Sequence, residues 1–471
     1  MRRRYRWICG LIAACVLSAS LTGCGLSDFL EGAVGKTAAE AETGRAGAGT
    51  GQITDESAGK TASAGAAAGE IGAAEPYTIL PARFDYREQG RCPEAGSQGS
   101  LGTCWAFATM LALESSLLPE EEWDLSEDHI SLHNSFGMRQ DMGGDYTMAM
   151  AYLLAWQGPV RESDDPYGDG QSPDGLMPVK HVQEIQILGE KDYQDIKTAV
   201  YFHGGVQTSL YAAMNDKRNL SVFYREDTYA YYYNGSAAPN HDVVIVGWDD
   251  DYPRENFTSD PGRDGAFLCM NSWGKEFGDN GLFYVSYADT NLGLRSLVYT
   301  EVEEPDNFDV LYQSDLCGWL GQLGYGDGEA YFANVYEAKA GEQVEAVGFY
   351  GTGPNTEYEV FLIEDAGKNG ELKLGKRAAA GRFDRAGFYT VRLDEPVDLR
   401  PGERFAAAVH IRTPGAVHPV AIEFGSGEGE ITAGVDLSDG EGYISSDGRL
   451  WSRTETEQAS NVCLKVYTRR R

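Results

Sequence analysis

The chain has 471 residues, of which 42% are hydrophobic and 11% aromatic, so we expect two or three domains with packed cores. Its net charge of −33 repels phosphate backbones and argues against a nucleic-acid partner. The eight cysteines contain no CxxC pair, and the acidic clusters lack a metal-binding loop motif. We therefore expect no disulfide scaffold, no metal and no cofactor.

Residues 1–24 have the pattern of an export signal. The apolar run from Trp7 to Leu21 follows four arginines and is shorter than the ~20 residues of a membrane-spanning helix. It ends in Leu21-Thr22-Gly23-Cys24, which resembles a bacterial lipobox. The resemblance implies a lipoprotein signal peptide with lipidated Cys24, and hence an exported lipoprotein that is anchored to the membrane and faces the extracytoplasmic side. The alternative is an ordinary secretory signal.

Residues 25–80 are rich in small residues. Gly and Ala supply 25 of these 56 positions. Such a segment buries too little apolar surface to offset its chain entropy, so we predict a disordered tether.

The first segment with candidate catalytic residues is Gln98-Gly99-Ser100-Leu101-Gly102-Thr103-Cys104-Trp105. Apolar residues at helical spacing predict a helix over 105–118, closed by Pro119. Cys104 would then lie at a helix N-terminus, where the helix dipole favours a thiolate. An isolated cysteine is more often a small buried apolar residue.

Two later segments predict buried strands with a polar residue at one end. His241 begins the β-branched run that ends near Trp248, and Asn271 follows the run Phe267-Leu268-Cys269-Met270. A lone histidine in such a place is usually structural. The ordered set of Gln98, Cys104, His241 and Asn271 is far more specific.

Residues 81 to about 300 resemble a papain-family cysteine peptidase. The Gln-Gly-x-x-Gly-x-Cys-Trp-Ala-Phe run, the His-x-Val-x-x-Val-Gly strand and Asn-Ser-Trp-Gly occur in the family's order. His241 lies 137 positions after Cys104, and Asn271 lies 167 positions after it. The resemblance implies an α+β papain-like catalytic domain over 81–303, with a helical lobe and a β-barrel-like lobe.

The resemblance also implies roles for individual residues. Cys104 is the expected nucleophile, His241 its acid–base partner, and Asn271 the group that orients the imidazole. Gln98 and the Cys104 backbone N–H are expected to bind the oxyanion. Trp273 is expected to shield the His–Asn hydrogen bond.

The substrate-binding residues are carried over from the same family. Gly143 and Gly144 correspond to the segment that pairs with the substrate backbone. Ser209 lies near the main specificity pocket, and Asn240 lies just before the catalytic histidine. The expected partner is a polypeptide substrate.

One position departs from the family pattern. Leu101 occupies the place where most secreted relatives have a disulfide-bonded cysteine. We therefore expect packing to make the active-site loop rigid.

Residues 304–471 alternate apolar and polar residues in short runs between Gly, Pro and Asp turns, which predicts an all-β antiparallel sandwich. Asp447-Gly448 predicts a hairpin turn. The segment resembles a lectin-like domain, which implies a carbohydrate or another cell-surface ligand. Trp319 and Trp451 are either sugar-stacking or core residues, and two further cysteines, Cys317 and Cys463, are candidates for a disulfide.

The sequence favours a lipid-anchored extracellular cysteine endopeptidase. One alternative is a surface-binding protein whose papain-like domain is catalytically silent. Another is a transpeptidase that passes the acyl group to an amine.

Overall fold

The computed structural model describes residues 79–212, 221–364, 366, 372–425 and 430–471. The expected signal peptide, the lipidation site Cys24 and all but the last two residues of the expected tether lie outside these ranges. Among the residues within them, no helix is long and apolar enough to cross a bilayer.

All but one of the α-helices of the described residues lie in the first third of the chain that the structure describes. They are α1 (Tyr86–Gln89), α2 (Cys104–Leu117), α3 (Glu127–Leu132), α4 (Tyr146–Leu154), α5 (Tyr193–Phe202) and, near the C-terminus, the short α6 (Thr454–Glu457). Helix α2 begins one residue before the predicted start and ends where Leu118 turns extended ahead of Pro119. Its side chains from Trp105 to Ser115 are buried on every face, so it is a core helix.

The first nine strands form most of the barrel-like lobe. They are β1 (Arg83–Asp85), β2 (His181–Ile187), β3 (Val206–Leu210), β4 (Tyr224–Arg225), β5 (Ala230–Tyr231), β6 (His241–Asp249), β7 (Ala266–Met270), β8 (Leu282–Ser286) and β9 (Ser296–Glu303). Their order is β2-β9-β3-β6-β7-β8-β5-β4, with β1 beside β6. Because β6 lies between β3 and β7, the end of β6 that begins at His241 is placed beside the end of β7 that precedes Asn271.

Thirteen further strands build the C-terminal domain. They are β10 (Val310–Tyr312), β11 (Gly321–Leu323), β12 (Glu329–Glu337), β13 (Glu342–Gly351), β14 (Thr356–Glu364), β15 (Arg377–Phe383), β16 (Ala386–Leu399), β17 (Arg404–Arg412), β18 (Val420–Phe424), β19 (Gly442–Ser445), β20 (Ser452–Arg453), β21 (Ser460–Val462) and β22 (Leu464–Arg470).

The predicted antiparallel, all-β character of this domain is confirmed. One sheet has the order β15-β14-β17-β12-β19-β20, and β10-β22-β13-β16 forms a second layer. Phe349 of β13, Val360 of β14 and Val409 of β17 share one buried core, so side chains from both layers fill it. A smaller sheet, β11-β18-β21, lies beside them.

One sheet runs through both domains. Strand β16 pairs with β2, with Ala386 opposite Ile187 and Tyr389 opposite Glu184. Next to the last pair of this ladder, Thr390 donates a side-chain hydrogen bond of 2.7 Å to Gln183. The C-terminal domain is therefore joined to the catalytic lobe by backbone hydrogen bonds.

The hairpin predicted at Asp447-Gly448 is present, but its loop is longer than expected. Strands β19 and β20 pair with Ile444 opposite Ser452, so Trp451 belongs to the loop. The Asp447 carboxylate accepts the backbone N–H groups of the two residues after Gly448, which stabilises this wider turn.

Two tryptophans and two cysteines of this domain are core residues and free thiols, respectively. Trp319 and Trp451 are half-buried and pack against hydrophobic clusters, as core residues do. Cys317 and Cys463 are buried free thiols; the Cys463 thiol donates to the Gly318 carbonyl oxygen at 3.3 Å.

Candidate active site

Hydrogen bonds hold the loop formed by residues 98–103. The Gln98 side-chain N–H donates to the Leu101 carbonyl oxygen at 2.7 Å, and the Tyr167 hydroxyl donates to the Gln98 carbonyl oxygen at 3.0 Å. The Tyr167 hydroxyl also lies 2.6 Å from the Thr103 hydroxyl. We expected packing to replace the missing disulfide; pairing of the loop's own polar groups contributes as well.

His241 and Asn271 meet at the ends of β6 and β7. The His241 Nε2–H donates to Asn271 Oδ1 at 2.7 Å, and Asn271 is fully buried. An amide oxygen only accepts, so Nε2 carries the proton and Nδ1 is left as the basic nitrogen. The Trp273 ring lies over the imidazole with its centroid 4.9 Å away, in the place expected of a shield.

Cys104 begins helix α2 and lies against the strand that carries His241. The backbone N–H of Asp242, the next residue of that strand, reaches the Cys104 sulfur. The nucleophile, the histidine and the asparagine that the sequence predicts are therefore brought to one cleft. Cys104 as a residue is half-buried, and its thiol is desolvated by the surrounding structure.

Burial shifts the pKa values of both Cys104 and His241. Burial, together with the nearby Asp242 carboxylate, raises the pKa of the Cys104 thiol to about 12, against the opposing effect of backbone N–H donors. Burial lowers the pKa of His241 to about 4. Burial thus opposes ionisation of both groups, whereas the backbone N–H donors near the start of helix α2 favour the thiolate.

Ser272 fixes the orientation of Gln98, a contact that the sequence analysis missed. The Ser272 hydroxyl donates to Gln98 Oε1 at 2.6 Å, and the Gln98 backbone N–H donates to the Ser272 carbonyl oxygen at 2.9 Å. One N–H of the Gln98 amide is bound to Leu101, which leaves the second for a ligand in the cleft. The signal was present in the sequence, since Ser272 directly follows Asn271.

The two glycines expected to bind substrate backbone differ. Gly143 has φ +87°, and a Cβ placed there would meet no atom within 4 Å, so its surface is open. A Cβ on Gly144 would lie 2.4 Å from the Trp105 indole nitrogen. Gly144 is therefore required by packing against helix α2, whereas Gly143 is the position where a substrate chain has room.

The remaining two predicted residues lie on opposite sides of His241. Asn240 is exposed, and its side-chain oxygen accepts the Ala212 backbone N–H at 2.7 Å, which ties it to the end of β3. The Ser209 hydroxyl donates to Asp242 Oδ1 at 2.6 Å. Asp242 was not singled out from sequence, although a carboxylate immediately after the histidine of an apolar strand is unusual enough to mark it.

No metal centre was found where the structure describes the chain. Its described residues contain no group of three or more His, Cys, Asp or Glu side chains placed to hold a metal ion. The arrangement of thiol, imidazole, amide and amide N–H is suited to nucleophilic attack on a carbonyl.

Residues 80–302 match the family described as papain family cysteine protease, and residues 311–468 match the lectin-like domain family. A cysteine protease of Blomia tropicalis is 29% identical over 234 residues, which are 47% of this chain and 66% of that protein. Pro-cathepsin H of Medicago truncatula is 30% identical over 234 residues, covering 46% and 60%. The match thus spans less than two thirds of the length of these relatives.

Two solved structures cover more of the chain. The clostridial cysteine protease Cwp84 after propeptide cleavage has a TM-score of 0.72 and 25% identity, covering 83% of this chain and 99% of that one. The cysteine protease and lectin-like domains of Cwp84, a surface layer associated protein of Clostridium difficile, give a TM-score of 0.71 and 25% identity over 84% and 90% of the two chains. The chain therefore carries a papain-family cysteine protease domain followed by a lectin-like domain, in the two-domain arrangement of Cwp84.

Proposed function

We propose that this protein is a cysteine endopeptidase that hydrolyses peptide bonds through Cys104, His241 and Asn271. The observation that carries the proposal is the 2.7 Å hydrogen bond from His241 to Asn271. The residue after His241, Asp242, has its backbone N–H at the Cys104 sulfur, which places the thiol next to this pair. The match to cysteine proteases over residues 80–302 supports the same activity.

In the proposed mechanism His241 acts first as a base and then as an acid. His241 Nδ1 takes the Cys104 proton as the sulfur attacks the substrate carbonyl, and the resulting imidazolium protonates the leaving amine. Water, deprotonated by the same nitrogen, then hydrolyses the acyl-enzyme thioester. Asn271 holds the ring throughout, and the free Gln98 N–H with the Cys104 backbone N–H stabilises the oxyanion.

The test is proteolysis by the purified protein of an unstructured polypeptide, with products identified by mass spectrometry. Internal cleavage that is lost in Cys104→Ala supports the proposal. Cleavage of equal rate in Cys104→Ala contradicts it. An inert wild-type protein whose Cys104 also fails to react with an epoxide inhibitor of papain-type peptidases supports a silent, surface-binding domain instead.

The same assay separates hydrolysis from acyl transfer. A competing amine is added at increasing concentration, and ligated products are measured by mass. Hydrolysis predicts that free carboxyl termini remain the main products. A transpeptidase predicts that ligated products replace them.

We also propose that the protein is exported and lipid-anchored through Cys24, with residues 25–80 as a tether. The arginines, the apolar run and Leu21-Thr22-Gly23-Cys24 support this, and the surface-layer-associated Cwp84 structure has the same two domains. Membrane fractionation of cells tests it. Cys24→Ala should move the protein from the membrane to the soluble exported fraction, while unchanged fractionation would contradict lipidation.

The domain boundary that we propose is 303/304, where β9 ends, giving a catalytic domain over 81–303 and a sandwich domain over 304–471. For the second domain we propose a carbohydrate or another cell-surface ligand. The support is the lectin-like family match. Binding of the full chain to a glycan array tests whether the ligand is a carbohydrate. Binding to no glycan would contradict a carbohydrate ligand.

A further inference from the structure

A cavity of about 240 Å³ opens beside the catalytic strand. Its wall includes Tyr146 at the start of α4, Ser209 of β3, Asp242 of β6 and Arg295 just before β9. Pockets that take whole small-molecule ligands measure ~300–1,000 Å³, so this cavity fits one side chain of a longer ligand. We call it the Asp242 pocket.

The pocket contains a buried carboxylate next to the catalytic histidine. Asp242 is 7% exposed and follows His241 directly. Its Oδ1 accepts the Ser209 hydroxyl at 2.6 Å, and its Oδ2 accepts the Gln207 side-chain N–H at 3.2 Å. A carboxylate offers about four acceptor positions, so these two donors leave capacity for a further one.

The charges around Asp242 favour a cation. Glu190 adds a carboxylate to the wall, and Asp145, which caps α4, acts on Asp242 more strongly than the Arg295 guanidinium does. Burial raises the pKa of Asp242 to about 6, so the group is ionised at pH 7.5. The wall of the pocket thus has two carboxylates, those of Asp242 and Glu190, and one guanidinium, and the chain's net charge of −33 attracts cationic ligands from solution.

We propose that the Asp242 pocket binds a basic side chain, lysine or arginine, of the polypeptide substrate, with Asp242 as the residue that determines this specificity. The inference rests on the proposed peptidase function and adds the class of substrate. The ammonium or guanidinium group donates to the free acceptor positions of Asp242, and its aliphatic stem packs on Tyr146 and Leu188 at the pocket wall.

The experiment uses the full chain and a set of peptides that differ at one of the four residues before the scissile bond. Each position carries lysine, norleucine or glutamate in turn, and kcat/KM is measured at pH 7.5. We expect lysine to exceed norleucine at one position by roughly ten- to a hundredfold, the range for a hydrogen bond to a charged group. Preference for glutamate, which would assign recognition to Arg295, or no charge preference would overturn the inference.

The variant Asp242→Asn keeps the shape of the side chain and removes its charge. This variant should lower the ratio of kcat/KM for the lysine peptide to kcat/KM for the norleucine peptide by at least about tenfold, because the charge that binds lysine is gone. Asp251→Asn is the matched control, since it removes one carboxylate from the exposed turn beyond the far end of β6. An unchanged ratio in Asp242→Asn, or an equal loss in Asp251→Asn, would overturn the proposal.

A second readout needs no variant. The polar and charged groups around Asp242 are Ser209 and Gln207 from β3, Asp145 from the start of α4, Glu190 of the pocket wall, Arg295 before β9, and Cys104 from α2. Burial raises the pKa of Asp242 to about 6, so the lysine preference of the wild type should fall as Asp242 gains a proton between pH 7.5 and 5. A preference that is constant over this range would contradict the role of Asp242.

The two proposals fail differently. If peptides are cleaved and Cys104→Ala is inactive, but lysine is not favoured, the peptidase function stands and the inference about the Asp242 pocket is wrong. If no peptide is cleaved and Cys104 does not react with the epoxide inhibitor, both are wrong.

Discussion

Replacing Gln98 by alanine removes the side-chain donor that faces the cleft. Gln98 is 8% exposed, and Ser272 fixes its oxygen, so the free N–H is held in place before the substrate arrives. Loss of one preorganised oxyanion donor typically lowers kcat by ~10²–10³, or ~2.7–4 kcal/mol. We expect this loss in kcat with KM nearly unchanged, because the interaction is made in the transition state.

Two further variants distinguish the Gln98 N–H donor from the Ser272 hydroxyl that holds the Gln98 side chain in place. Ser272→Ala removes one neutral hydrogen bond beneath Gln98 and keeps the donor, so a loss of ~0.5–1.5 kcal/mol, roughly 2- to 13-fold in kcat, is expected. Gln98→Glu keeps an oxygen for Ser272 and removes both N–H groups, so its loss should at least equal that of Gln98→Ala. The assay is steady-state cleavage of one fluorogenic peptide by all three variants. Equal losses in Ser272→Ala and Gln98→Ala, or a loss below about tenfold in Gln98→Ala, would refute the donor role.

The remaining predictions concern the other catalytic groups and one buried acid. Cys104→Ala should abolish peptide cleavage without lowering the thermal midpoint, and His241→Ala should cost nearly as much because the two groups act together. Asn271→Ala leaves the buried His241 N–H unpaired, which costs ~1–3 kcal/mol, or roughly 5- to 150-fold in kcat; inactivation as complete as that of Cys104→Ala would contradict an orienting role. Burial raises the pKa of Glu114 from 4.5 to about 8, so the native state keeps a proton that the unfolded chain loses. The free energy of unfolding should therefore fall as pH rises, and Glu114→Gln, which keeps the acceptor for the Leu125 N–H, should remove ~2 kcal/mol of the fall between about pH 6.5 and 8 in urea titrations. An identical pH dependence in the variant would show that Glu114 is not protonated in the native protein.

The sequence predicted the elements that carry strong local patterns. The core helix after Cys104 and the buried strand after His241 have continuous apolar runs, and the structure has both within one residue of the expected bounds. Alternation in the last third likewise predicted antiparallel strands. The ladder between β16 and β2, which joins the two domains, has no local pattern because it depends on residues about 200 positions apart.

In the active site too, residues within a local motif could be predicted, whereas contacts between distant segments could not. The family resemblance implied that Gln98, Cys104, His241 and Asn271 form one site, and the structure pairs two of these side chains, His241 and Asn271. The sequence marks Ser272 and Asp242 by their positions next to Asn271 and His241. It does not show their hydrogen bonds to Gln98 and Ser209, because these join separate elements of the fold. The thiolate expected at Cys104 stays a prediction, because the helix N-terminus is a local feature that favours it, whereas burial within the domain raises the pKa of the thiol.

The central claim is that His241 acts as the base that makes Cys104 nucleophilic. Labelling of the purified protein with an epoxide inhibitor of papain-type peptidases, followed by peptide mass spectrometry, tests it most directly. Cys92 is the internal control, since it is also a half-buried free thiol and burial raises its pKa to about 11. The account predicts one adduct, on Cys104, that is lost in His241→Ala and after denaturation; equal labelling of Cys92, or labelling of Cys104 that survives His241→Ala, would contradict it.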